Sequence, residues 1–154
     1  MVGPLLDEQK WSREIFMNHP SLPRPLVLAV DDNLDNLWLL SMALEMFGFS
    51  HICINQSQYV MEAAKRYQPD LILLDLVMAD INGIEVANYL KVEPTTVNIP
   101  IVGVTAMVTY DYPKCLPIEI FDSFLTKPYL LDDLQDLVKA SLKKQAPYCL
   151  TPRV

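Results

Sequence analysis

The sequence predicts an α/β fold: a doubly wound parallel sheet of five strands with helices on both faces. Three observations carry this. Short, almost wholly apolar runs recur, LVLAV at 26–30, LILL at 71–74 and IVGVT at 101–105. Between them, apolar residues return at intervals of three and four. The two patterns alternate about five times along the chain. Strands this apolar are buried on both faces, and a parallel sheet covered by helices buries them so.

The first element expected is LVLAV. Leu37, Leu40, Leu44 and Phe47 then mark a helix that Gly48 stops. HICIN (51–55) alternates and reads as a strand nearer an edge. Val60, Ala63, Ala64 and Tyr67 give a second helix, closed by Pro69. LILL follows, then a helix from Ile84, Ala87 and Leu90 that Pro94 ends. IVGVT and SFLT (123–126) are the remaining strands, and Leu134, Leu137, Val138 and Leu142 mark the last helix. The domain that carries this pattern is 25–145. Residues 146–154 read as a tail and 1–24 as an N-terminal extension, with SLPRP (21–25) as a proline-bearing linker. Upstream, residues 5–18 either form a short helix, with Trp11 and Ile15 four apart, or fray; the frayed tail is the preferred reading.

The chain has 154 residues, 51% of them hydrophobic, enough for one domain with a full core. A net charge of -7 without a basic stripe argues against nucleic acid as a direct partner. Cys53, Cys115 and Cys149 show no zinc spacing and fit reduced thiols in a cytosol. His19 and His51 have no partner at metal-ligand spacing and read as a loop and a strand residue. No stretch resembles a signal peptide or a membrane span, so a cytoplasmic protein without membrane contact is expected.

In parallel sheets, ligands bind at the carboxyl ends of the strands. Asp31 and Asp32 follow the first strand, Asp75 follows LILL, Thr105 ends IVGVT, and Lys127 with Pro128 follows SFLT. Each has an ordinary explanation alone: Asp32 or Asn33 caps a helix, and Lys-Pro opens a loop. Together they gather three carboxylates, a hydroxyl and an ammonium on one edge. Close carboxylates resist ionising together, and a divalent cation with hard oxygen ligands, Mg2+, removes that conflict. A carboxylate so placed can take a phosphoryl group, with Lys127 and Thr105 as partners for its oxygens.

Four stretches, VDDN (30–33), LLDLVM (73–78) with Gly83, TA (105–106) and LTKP (125–128), resemble the receiver domain of bacterial two-component response regulators, of the stand-alone type. The likeness covers about residues 25–145. It implies the flavodoxin-like strand order 2-1-3-4-5 and a signalling switch rather than a turnover enzyme. It implies Asp75 as phospho-acceptor, Mg2+ on Asp31, Asp32, Asp75 and the Val77 carbonyl, and Thr105 and Lys127 on the phosphoryl oxygens. Thr105 with Phe124 would form the switch, although Phe124 reads equally well as a core residue. The Lys127–Pro128 bond is often cis in this family. The implied partners are a histidine kinase or phosphotransfer protein and a downstream protein target. A homodimer through the fourth-helix, fifth-strand, fifth-helix face is open.

Three departures stand out. Met78-Ala79 replaces the usual Met-Pro after the acceptor. Val77 and Met107, both apolar, flank the site where the family influences water, so slow self-dephosphorylation is expected. In addition, Pro113 and Pro117 predict a short or broken fourth helix over 107–122, with Tyr110, Tyr112 and Leu116 as a contact patch. Two other functions compete. A degenerate receiver would bind partners without phosphorylation. A phosphatase of the aspartyl-phosphate type needs an acid two residues after the nucleophile, and that place is Val77.

Overall fold

The computed structural model describes residues 16–18, 24–106 and 118–145. Six strands form one sheet: β1 (Phe16–Asn18), β2 (Leu26–Val30), β3 (Ser50–Ile54), β4 (Leu71–Asp75), β5 (Ile101–Thr105) and β6 (Ser123–Thr126). Among the described residues, four α-helices accompany them: α1 (Leu34–Met46), α2 (Val60–Tyr67), α3 (Gly83–Val92) and α4 (Leu131–Gln145). The sheet order is β1-β3-β2-β4-β5-β6. The five strands β2 to β6 are parallel and stand in the expected 2-1-3-4-5 order.

The sixth strand is a correction. Part of the extension expected to fray is a strand: Phe16–Asn18 pairs antiparallel with β3, Phe16 opposite Cys53 and Asn18 opposite His51. Three residues are too few for any periodicity to show, so the sequence alone left this pairing invisible. With β1 as the edge, β3 moves one place inward and all five of its residues are buried. His51 is therefore a buried strand residue, its Nε2 at 2.7 Å from the Ser41 hydroxyl, and burial lowers its pKa. The expected helix around Trp11, the patch at Tyr110, Tyr112 and Leu116, and the proline-broken stretch 107–117 lie outside the described residues. A 3-10 turn at Ile118–Ile120 leads into β6.

Strand residues alternate between two cores. Leu28, Val30, Ile52, Ile54, Ile72 and Leu74 face Val60, Ala63, Ala64, Val86, Ala87 and Leu90 from α2 and α3. Val27, Ala29, Cys53, Leu71, Leu73, Val102 and Val104 face Leu37, Leu40, Leu44, Leu134 and Val138 from α1 and α4. Two-sided burial is why these strands contain almost nothing polar. In the second core the Cys53 thiol is pushed up to about 12 by burial, so it stays protonated and unreactive.

Helix ends follow local chemistry. Asn33 caps α1, its side chain accepting from the Asn36 amide at 3.0 Å. Gly48, at φ 84°, turns the chain after α1, and the Phe49 amide closes back on the Leu44 carbonyl at 2.9 Å. Asn82 caps α3 by accepting from the Ile84 amide. The amino ends of two strands are held by carboxylates: Asp70 accepts from the Leu26 amide and Asp122 from the Ile101 amide, each at 2.8 Å.

Gly83 fixes how close α3 comes to the end of β4. Its amide donates to the Leu76 carbonyl at 3.1 Å, and a Cβ there would overlap the Asp75 carbonyl and Leu76 Cα. Backbone cannot step aside as a flexible side chain does. Gly83→Ala is expected to lower the free energy of urea unfolding by about 2 kcal/mol or more. Gly48→Ala, strained only by its positive φ in open space, should cost about 1 kcal/mol. A Gly83→Ala loss no larger than that of Gly48→Ala would contradict this packing.

Candidate functional site

The parallel register brings the strand ends to one edge. Val30 pairs with Leu74, Asp75 with Val104, and Thr105 with Thr126. Asp31, Asp75, Thr105 and Lys127 therefore all sit where the strands stop. One carboxylate oxygen from each of Asp31, Asp32 and Asp75 lies within 4.8 Å of the others. Asp31 and Asp75 are buried, at 1% and 6% exposure, whereas Asp32 is exposed at the rim. Thr105 is buried at the end of β5, and its carbonyl accepts from the Lys127 amide at 2.7 Å.

Lys127 bridges two of the acids. Its Nζ lies 2.8 Å from Asp31 Oδ2 and 3.3 Å from Asp75 Oδ2. The Lys127–Pro128 peptide bond is cis. Asp31 is the most engaged acid: it also accepts from the Asn33 amide at 2.9 Å and from Asn36 Nδ2 at 3.1 Å. Asp75 Oδ1 accepts from the Val77 amide at 3.0 Å, and Asp32 Oδ2 from the Ala79 amide at 2.8 Å.

The charges do not balance. Burial dominates at Asp75 and pushes its carboxyl above the ordinary carboxylate range; the Val77 amide pulls it back, the Asp31 charge pushes further, and Lys127 opposes. For Lys127, burial draws the ammonium down, but Asp31 and Asp75 outweigh it and hold its pKa above the usual lysine value. Among the described residues, one ammonium faces three carboxylates. Oxygen ligands of this number, hardness and spacing fit a small divalent cation such as Mg2+.

Asp31, Asp32, Asp75, Thr105 and Lys127 are thus at the same edge, whereas Met107 lies outside the described residues. Phe124 is not in the cleft. It is partly buried in the core beside α2 and α3, 5.0 Å from the Phe121 ring, and its edge meets Gly103, where a Cβ would come within 2.9 Å. Val77 is 52% exposed next to Asp75. Sequence reasoning missed Asn36 and the Ala79 amide. Asn36 had a faint signal, the Asp-Asn pair repeated in DDNLDN, whereas a backbone amide has none.

Lys127→Met would leave the Asp31 carboxylate, 2% exposed, without its cation. In metal-free buffer at neutral pH, urea unfolding is expected to lose about 3 kcal/mol. Lys127 holds its proton more tightly when folded. Its contribution is therefore complete below about pH 10.4 and fades only as pH rises through the folded value. A loss under about 1 kcal/mol would show the pair to be as weak as an exposed one.

Comparison with known proteins agrees with this architecture. The response regulator receiver domain pattern matches residues 27–139. The phosphate regulon transcriptional regulatory protein PhoB of Pseudomonas aeruginosa is 34% identical over 122 residues, covering 79% of this chain and 53% of that protein. This chain thus spans about half the length of PhoB. The polar-differentiation response regulator DivK of Brucella anthropi is 26% identical over 116 residues, covering 75% of this chain and 94% of DivK. Among solved structures, the signal receiver domain of a Luxo repressor protein from Vibrio parahaemolyticus matches with TM-score 0.72 at 24% identity, over 79% of this chain and 92% of that one. The receiver domain of a Pseudomonas aeruginosa sensor histidine kinase, solved with a magnesium ion coordinated in its active site cleft, matches with TM-score 0.71 at 20% identity, over 79% of this chain and 99% of that one. With the pattern matched over most of its length and the acidic cleft at the strand ends, this chain belongs to the response regulator receiver domain family.

Proposed function

We propose that this receiver is a working switch that takes a phosphoryl group on Asp75 from a histidine kinase or phosphotransfer protein in the cytoplasm. One observation carries the reading: Asp75 ends β4 with Asp31 and Asp32 within 4.8 Å and Lys127 on its Oδ2. Asp31 is already tied to three donors, and Asp32 stands at the exposed rim. Asp75 is the buried acid with fewer donors than Asp31, one on each oxygen, and these orient its carboxylate to react.

In this reading, a carboxylate oxygen of Asp75 attacks the phosphorus of a phosphohistidine. The O–P bond forms as the N–P bond breaks, and the electron pair leaves on the imidazole nitrogen, which takes a proton from water. Asp31, Asp32, Asp75 and the Val77 carbonyl would hold Mg2+, which supplies positive charge against the phosphoryl oxygens. Lys127 pairs with one phosphoryl oxygen and the Thr105 hydroxyl donates to another. An inward move of Thr105 would open space into which Phe124 shifts, carrying the signal away from the cleft.

The donor would seat on α1. Leu34, Trp38, Leu39, Met42 and Met46 form an apolar outer face; Trp38 is 54% and Met46 67% exposed. The face starts directly after Asp32 and Asn33, so a protein covering it reaches the cleft. Its charges are Asp35 and Glu45, with no lysine or arginine in α1. A second copy would set acid against acid. A phosphohistidine-bearing helical partner with an apolar ridge flanked by basic residues fits better.

The test uses Mg2+ with acetyl phosphate, or a phosphohistidine donor protein, and reads intact mass. The wild type should gain one phosphoryl group and Asp75→Ala none. Trp38→Ser should slow transfer from the protein about tenfold and leave acetyl phosphate unaffected. Val77 brings no polar group to orient water, so the phosphorylated state should last minutes or longer. A half-life of seconds would contradict that. No gain of mass would favour a phosphorylation-independent binding module acting through the α1 face.

A further inference from the structure

We propose that the backbone N–H of Ala79 is a positioning donor that presets Asp32 for its cation. The inference rests on the reading above that Asp32 is a metal ligand. Residue 79 is alanine, and alanine carries a backbone N–H that proline lacks. The difference is used: the Ala79 amide donates to Asp32 Oδ2 at 2.8 Å. Asp32 is the exposed member of the acidic trio, so its carboxylate is the one that would otherwise rotate freely. Holding Oδ2 fixes the group and leaves Oδ1 for a cation. Hydrogen bonds of this kind orient metal-ligating carboxylates and sharpen affinity.

The donor itself is anchored. Asp80, the next residue, accepts from the Ser57 hydroxyl at 2.5 Å and from the Ser57 amide at 3.2 Å. Its other oxygen accepts from the Ile81 amide at 3.0 Å. Asn82 then caps α3, and the Gly83 amide returns to the Leu76 carbonyl. The segment from Leu76 to Gly83 is thereby tied at both ends and to the turn that opens α2. Where a proline ring would stiffen this loop, side-chain ties do so here and free one amide for Asp32.

The experiment titrates Mg2+ alone into the full chain, with calorimetry for affinity and amide hydrogen exchange by NMR for the Ala79 N–H. Ala79→Pro removes the donor; Ala79→Gly keeps it. The expected results are a protected Ala79 amide both without and with Mg2+, about fivefold weaker binding in Ala79→Pro, and wild-type affinity in Ala79→Gly. Equal affinity in all three proteins, or loss of Ala79 protection when Mg2+ binds, would overturn the proposal while leaving the metal site intact. Absence of Mg2+ binding in the wild type would overturn both readings. If Ala79→Pro disturbs the fold, seen as spectral change far from the cleft, amide protection in the wild type alone decides the matter.

Discussion

The structure turns on an unbalanced meeting of charges: three carboxylates and one ammonium at the carboxyl edge of the sheet, two of the acids buried. Acids elsewhere in the fold are easily explained. Asp70 and Asp122 sit at the opposite edge and accept from strand amides, each completing a hydrogen bond that the sheet leaves open. Asp31, Asp32 and Asp75 face one another instead. The surrounding scaffold limits the strain with Asn33, Asn36, Val77 and Ala79 as donors and Lys127 as counter-charge. It does not remove it, and a divalent cation held by the three carboxylates would relieve that residual repulsion.

The same few residues link the cleft to a surface. Asn33 borders Asp31 and also caps α1, while Asn36, in the first turn, reaches back to Asp31. The helix that grows from this cap is apolar on both sides. Leu37, Leu40 and Leu44 serve the core, and Trp38, Met42 and Met46 have nothing comparable to cover them within the described residues. A helix apolar all round is ordinarily buried. Its outward half is the face that the proposed donor would cover, and a protein seated there would lie beside the acidic cleft.

Much of this was legible in the sequence because it is written in residue types. Strands buried on both faces need runs such as LILL, and strand ends that gather acids need Asp-Asp, Asp75 and Lys127 at the ends of those runs. The less visible parts depend on backbone or on distant pairing. Phe16–Asn18 is too short for periodicity; it pairs with β3, which stands next to the edge, near where its alternating sequence had put it, and is buried through Ile52 and Ile54 on one face and Cys53 on the other. The Ala79 amide leaves no mark beyond the absence of a proline. Phe124 stayed ambiguous because a switch aromatic and a core aromatic occupy the same place, packed over Gly103. The role of the prolines at 113 and 117 lies outside the described residues.

The most direct test of the central claim is urea unfolding of the wild type and Asp75→Asn at pH 7, each with and without saturating Mg2+. Asp75 is harder to ionise when folded than when unfolded. Its contribution to stability is present below the unfolded value, near 3.9, and lost as pH rises through the folded one. Without metal, Asp75→Asn should therefore be the more stable protein. Mg2+ should stabilise the wild type by about 2–3 kcal/mol at a hundredfold excess over its dissociation constant, and the variant much less. A wild type more stable than Asp75→Asn without metal, or equal stabilisation of both by Mg2+, would contradict the account of an acidic cradle held under its own repulsion.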